Sequence, residues 1–305
     1  MPLPHNLFCG PCGWSYPHWN GTVYPRSRPR GFHALEFVSR YFDAVEINTS
    51  FYQPLRPEIT KLWIKLVDEN PRFLFCAKLN RRFTHDRVLD TPEIAAHKDG
   101  LRPFLRDAKF GCLLMQFPWS FRYTEENRNY FIRLRRAFHE FPLVAEMRHG
   151  SWLSEEATGL LTDHRVGFCN IDQAAYTKAM PPTALVTSPI GYVRLHGRNP
   201  GDWMKEFGQA DPTVARHDYL YGTAELLEWR DRIAQIHPYA ERTFVFTNND
   251  VGGRSVVNGL QLAHMLGDDR LRAPADLARK YSVELAGFAT GSPLQPSLFT
   301  DSAAA

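Results

Sequence analysis

No apolar run in this 305-residue chain approaches the ~20 residues that a membrane-spanning helix requires, so no helical span and no membrane partner are expected. The opening MPLPHNLF lacks the charged and hydrophobic regions of a secretory signal, and the chain reads as cytoplasmic. Cysteine is sparse. The five, an odd count, include Cys76, Cys112 and Cys169 inside strand-like runs, which fits a reduced interior rather than a disulfide framework. No second Cys-x-x-Cys accompanies Cys9-Gly10-Pro11-Cys12, so a four-cysteine zinc site is excluded. No strong excess of one charge is present either. A net charge of +3 and a pI near 8.6 are too mild to announce a nucleic-acid binder, although they permit a local basic patch.

What is present is an alternation of short apolar runs with longer amphipathic or loop segments. Strands are expected at Asn6–Cys12, Ala44–Asn48, Phe73–Leu79, Gly111–Phe117, from Leu143, Val166–Ile171, Gly191–Leu195 and Thr243–Asn248. Helices are expected near Phe32–Tyr41, Pro57–Asn70, Leu101–Ala108, Glu125–Phe138, from Thr223, and at Ser255–Leu266. About eight such units over this length predict an α/β fold, a (β/α)8 TIM-type barrel in a single domain over residues 1–290. An open doubly wound sheet is the rival, but no glycine-rich turn follows the first strand as its nucleotide-binding versions require. The long polar stretch between His196 and Thr223 has the length of a functional loop. Residues 291–305, rich in Pro, Ser and Ala, read as a flexible tail.

Three strands end in functional groups that share one face. Side chains alternate along a strand, so Glu146 pairs with Arg148, Glu46 with Asn48, and Arg194 with His196. Charges at the end of a buried strand are costly to desolvate, which points to a common site at the carboxyl-end mouth. Arg148 and Arg194 can grip a phosphate or carboxylate bidentately, and Lys78 adds a point charge. A purely structural ion pair between Glu146 and a neighbouring Arg is the competing account. His85, His149 and His196, with Glu46, Glu146 and Asp250, are parts from which a metal centre could be built. The neighbouring cations and the lack of paired ligands on one helix oppose it, so no metal is assigned.

Other features carry two readings each. Cys9-Gly10-Pro11-Cys12 spells a redox dithiol, but the residues after Cys12 cannot open a helix cleanly, as that chemistry wants. Trp14, Tyr16, Trp19 and Tyr24 could stack on a sugar or base, or could brace their loop. Asn248-Asn249-Asp250 could help bind phosphate at the last strand end, or could simply form a turn.

Taken in order, GWSYPHWNGTVYP, FDAVEINTSFYQPL, FLFCAKLNRRFTH, LLMQFPWSF, VAEMRHGSW, YVRLHGR, DYLYGTAEL and FVFTNND closely resemble the YecE-like family, domain of unknown function seventy-two. The likeness runs from about Gly10 to Leu266. It implies a TIM-type barrel and no settled reaction, with a fold-level analogy to metal-dependent barrel endonucleases of DNA repair. Its motif positions single out Trp14, Glu46, Asn48, Tyr52, Lys78, His85, Gln116, Glu146, Arg148, Trp152, Arg194, His196, Asn248 and Asn249. Thr247 stands where the family usually shows Asn.

The expected function is therefore anion binding at the mouth, with a phosphate ester of sugar or nucleic-acid origin as ligand. One version is hydrolytic or lyase-type cleavage. Glu146 or Glu46 would be the general base, His196 the acid, and Arg148, Arg194 and Lys78 would stabilise negative charge. The other is a non-catalytic module that holds nucleic acid, or an accessory protein of DNA metabolism recruited through its tail. Whether the protein is an enzyme is left open between them, and the cofactor is unknown. In the tail, Gln295, Leu298 and Phe299 look like the peptide by which DNA-processing proteins dock on the bacterial sliding clamp, a polar anchor followed by two pocket-filling apolar side chains. Folding of Leu298 and Phe299 back onto the barrel is the alternative.

Overall fold

The computed structural model describes residues 3–199, 217–269 and 271–291; the tail motif, and the middle of the long loop after His196, lie outside them. The strands are β1 (Leu7–Pro11), β2 (Ala44–Ile47), β3 (Leu74–Lys78), β4 (Phe110–Gln116), β5 (Leu143–Glu146), β6 (Gly167–Asp172), β7 (Ile190–Leu195) and β8 (Arg242–Thr247). All pairings are parallel, in the order β1-β8-β7-β6-β5-β4-β3-β2. The remaining seam, between β2 and β1, is closed by a bridge from Cys12 to Glu46 and by Gly13 N donating to Glu46 O at 2.8 Å. Gly10 makes that closure possible. A Cβ there would lie 1.8 Å from the carbonyl oxygen of Ala44, so only a residue without one lets the two backbones meet. The architecture is a (β/α)8 TIM-type barrel, whose strands are buried on both faces and hence read as near-continuous apolar runs.

The helices are α1 (Ala34–Ser39), α2 (Pro57–Leu66), α3 (Arg81–Thr84), α4 (Thr91–Arg106), α5 (Glu125–Ala137), α6 (Glu155–Asp163), α7 (Thr223–Ile236), α8 (Arg254–Met265) and α9 (Ala275–Lys280). The start of α4 lies ten residues before the expected Leu101, because Asp90 accepts from Glu93 N and Pro92 occupies the first turn. By propensity alone Gly100 and Pro103 favour a shorter helix. Thr124 and Ser154 cap α5 and α6 in the same way. Arg81–Thr84, for which the sequence predicts no element, forms the short α3 after Asn80 accepts from Arg82 N at 3.0 Å. Two short strands, β9 (Arg272–Ala273) and β10 (Thr290–Gly291), form a separate parallel pair. No helix among the described residues is long and apolar enough to cross a membrane.

The lumen is layered. At the amino-terminal end, Phe8 stacks on Phe244 at 5.2 Å, and the Cys112 thiol lies 3.6 Å from that of Cys76. Above them Tyr192 packs against Phe246 at 5.4 Å. The layer nearest the mouth is polar and charged. An apolar floor beneath a charged ceiling means that the upper groups face one another across a water-poor interior, where electrostatic interactions are strong.

Candidate functional site

Alternation along β7 sends Tyr192 and Arg194 inward, and His196, just past the strand, continues the same face. The Arg194 guanidinium spans the lumen. Nη2 donates to Glu46 Oε1 at 2.7 Å, and Nη1 donates to Glu146 Oε2. Tyr192 OH donates to the other oxygen of Glu46 at 2.7 Å, and Arg148 Nε donates to Glu146 Oε1 at 2.9 Å. Arg194 Nη2 also lies 3.7 Å from the Cys12 sulfur. Strands distant in sequence thus supply one continuous network, with Glu46, Glu146, Arg194 and His196 fully buried.

Burial alone would raise the Glu146 carboxyl, but Arg194, Arg148 and His196 more than offset it and hold the group well below the usual carboxylate range. Burial likewise works against the Arg194 charge, and the two glutamates outweigh it. For His196 burial wins, and the ring is kept neutral. Its Nδ1 lies 3.0 Å from Asn248 Nδ2. With that amide donating, the ring proton sits on Nε2, which faces Glu146 Oε1 at 3.4 Å.

Toward solvent the cluster is cationic. Lys78, at the end of β3, lies with Nζ 4.2 Å from the centroid of the Phe51 ring. Burial, then Arg194, lower its ammonium to about 8. His85 meets the same ring edge-on at 5.2 Å, and burial followed by Arg148 and Lys78 lowers it to about 4. Tyr52, 72% exposed, packs edge-on to Phe51 at 5.2 Å. Gln116, aligned with Glu146 at the ends of β4 and β5, is buried with Oε1 lacking a hydrogen-bond partner among the described residues. Asn48 borders Gly13, whose φ of +82° and missing side chain leave room for the Tyr16 hydroxyl, which donates to Cys12 O.

The structure thus brings Glu46, Asn48, Lys78, His85, Gln116, Glu146, Arg148, Arg194, His196 and Asn248 to the mouth, with Tyr52 at its outer edge. It does not bring Trp14, Trp152 or Asn249 there. Trp14 is buried edge-on against Trp63 of α2 at 4.9 Å. Trp152 stacks on Phe121 at 5.5 Å and donates from Nε1 to Phe121 O at 2.7 Å. Asn249 donates to Tyr219 O at 2.8 Å and to Asn258 Oδ1 at 2.7 Å, tying the segment before α7 to α8. Loop residues have no fixed alternation, so sequence position alone could not tell which way these three face. Thr247 turns outward, donating to Ser255 O at 2.8 Å, so the substitution at this motif position falls on the helix side of the strand.

Cys9 and Cys12, three positions apart along β1 and its end, face opposite sides. All five cysteines are free and buried, and burial pushes both of these thiols up. This is the reverse of the stabilised thiolate that a redox dithiol needs. Among the described residues no group of three or more His, Cys, Asp or Glu side chains is arranged to hold a metal. Asp250 instead pairs with His18 at 3.1 Å.

Tyr192 escapes a reading of the sequence for strand-end charges, although the alternation that exposes Arg194 and His196 also includes it. Asp172, at the end of β6, escapes it as well. It accepts from Arg198 Nε at 3.1 and 3.0 Å and from Trp229 Nε1 at 2.8 Å. Arg198 reaches Glu225 at 2.8 Å, so this second cluster binds the segment after β7 to α7.

Comparison with known proteins places the chain. The family described as "Protein of unknown function DUF72" matches residues 8–280. The UPF0759 protein YunF of Bacillus subtilis (strain 168) is 28% identical over 274 residues, covering 85% of this chain and 94% of its own. The crystal structure of a DUF72 family protein (TM1631) from Thermotoga maritima MSB8 superposes with a TM-score of 0.73 at 26% identity, over 86% of this chain and 99% of that one. A DUF72 family protein (ef0366) from Enterococcus faecalis V583 gives 0.73 at 23% identity, over 86% and 96%, and shares the fold. A barrel closed at Gly10, carrying the Glu46, Glu146 and Arg194 network at its mouth and matched by this profile over nearly all its described length, belongs to the DUF72 family.

Proposed function

We propose that the barrel mouth binds a small anion, with a phosphate ester as the best fit. The observation that carries this reading is the charge at the mouth. Among the described residues Lys78, Arg148 and Arg194 stand against two carboxylates, Glu46 and Glu146, and Lys78 forms no ion pair there. A buried surplus of positive charge is unfavourable unless an anion compensates it, and the carboxyl ends of the strands are where barrels of this fold take their ligands.

The carboxylates are counter-ions in this scheme. Each oxygen of Glu46 and Glu146 already accepts a hydrogen bond, from Arg194, Tyr192 or Arg148. Glu146, held far below neutral, is a poor proton acceptor, which weighs against a cleavage mechanism with Glu146 as general base. Their role is to fix the guanidinium groups in place, while Lys78, Gln116 and Asn248 line the approach.

Thermal denaturation with inorganic phosphate and with ribose 5-phosphate tests the reading. Ligand at a hundredfold excess over Kd stabilises the native state by about 2.7 kcal/mol. Ribose without phosphate should give no shift, and Lys78→Met should reduce the shift. Absence of any shift with either phosphate would remove the proposal.

A further inference from the structure

Lys78 has the surroundings of a nucleophile rather than of a simple anchor. It ends β3 half-buried, with Nζ against the Phe51 ring at 4.2 Å. The carboxylates deeper in the mouth are occupied by Arg194, Arg148 and Tyr192, and its charged neighbours include both arginines. An amine so placed has an apolar wall on one side and, among the described residues, no carboxylate within ion-pair distance of its proton. At about 8, a fraction of it is free amine at neutral pH. Gln116 Oε1 is buried and without a partner among the described residues, a carbonyl oxygen suited to accept a hydrogen bond from a hydroxyl of a bound molecule.

We propose that Lys78 forms an imine with the carbonyl carbon of a phosphorylated aldehyde or ketone bound at the mouth. The Nζ lone pair adds to the carbonyl carbon, forming the C–N bond, while the C=O π pair moves to oxygen. That oxygen takes the proton released by nitrogen, giving a carbinolamine. A further proton from solvent lets the oxygen leave as water, and the nitrogen lone pair closes the protonated C=N bond. No oxidant or reductant is consumed. The inference rests on the anion reading, because the phosphate brings the negative charge that offsets a cationic imine beside Arg148 and Arg194.

The test is reductive trapping on the full chain, with pyridoxal 5′-phosphate as an aldehyde that carries a phosphate. Borohydride reduction followed by peptide mapping should place the adduct on Lys78 ahead of the other lysines, of which the sequence holds seven more. Trapping should rise with pH through about 8. Inorganic phosphate at ten times its Kd should slow it about tenfold by mass action. Lys78→Arg keeps the charge but cannot condense, so it should lose the adduct. Peptide mapping of the wild-type chain is decisive even where that variant does not fold. Adducts on other lysines, with Lys78 unmodified, would overturn the imine. A phosphate shift that persists in that case leaves the anion reading standing, and its absence removes both.

Discussion

Arg148 donates from Nε to Glu146 Oε1 at 2.9 Å, two positions along the same strand end. The pair meets because both residues lie on one face of extended backbone, and the meeting places a guanidinium beside the approach to the mouth while Glu146 stays fully buried. Arg194 completes the arrangement from the far side of the lumen.

Glu146→Gln leaves the buried Arg194 and Arg148 without a full counter-charge. Breaking a buried pair from one side costs about 3–5 kcal/mol. A urea midpoint unchanged from wild type would contradict the proposed role of Glu146 as the counter-ion that fixes both arginines.

Glu146 also sets an acid limit. Its folded carboxyl is held well below the unfolded value of about 4.3, so its contribution is complete above that value and is lost as pH falls beneath it. Wild-type stability should decline on acidification below about pH 5, and Glu146→Gln should flatten the decline. Parallel slopes for the two proteins would contradict this.

His97 works in a different pH window. It is buried between Phe83 and Phe138 with neither ring nitrogen bonded among the described residues, and burial lowers it to about 4. The unfolded ring titrates near 6.5, so the stability tied to neutral His97 is full above about pH 6.5 and is lost as pH falls toward 4. His97→Leu removes an unsatisfied group and should stabilise by about 1–3 kcal/mol, with the larger gain near pH 5. Denaturant melts at neutral and at mildly acidic pH distinguish this from a packing loss, which would destabilise at both.

Two glycines should respond in opposite directions. Gly10→Ala drives a methyl group into the Ala44 carbonyl at the barrel seam, and the expected result is a chain that fails to fold or melts far earlier. Gly159 lies inside α6 with open space where its Cβ would be, so Gly159→Ala should stabilise by about 1 kcal/mol. Thermal melts of the two variants check both, and a well-folded Gly10→Ala protein would refute the seam argument.

Cys9 and Cys12 should not cross-link to each other. Because they face opposite sides of β1, mass mapping after mild oxidation should find no Cys9–Cys12 disulfide. Recovery of that cross-link from folded protein would restore the redox reading of the dithiol.

The sequence by itself determined the sheet, its eight repeats and the faces of the strand ends. Those are local properties: an apolar run too short for a helix is a strand, and alternate side chains share a side. Glu46, Glu146, Arg148 and Arg194 were therefore legible as one inward-facing set, and so was the barrel that gathers them. Only the tertiary structure decided what each meets. Glu46 and Arg194, 148 positions apart, meet across the lumen, and that contact sets a buried guanidinium against a carboxylate that the sequence offers as a general base. Trp14, Trp152 and Asn249 turned into the packing for a related reason. Past the end of a strand no period governs direction, and a side chain goes where apolar area or a carbonyl partner is available. A strand's own geometry sets where its residues point, whereas what they meet depends on chain closure over long separations, which no local pattern encodes.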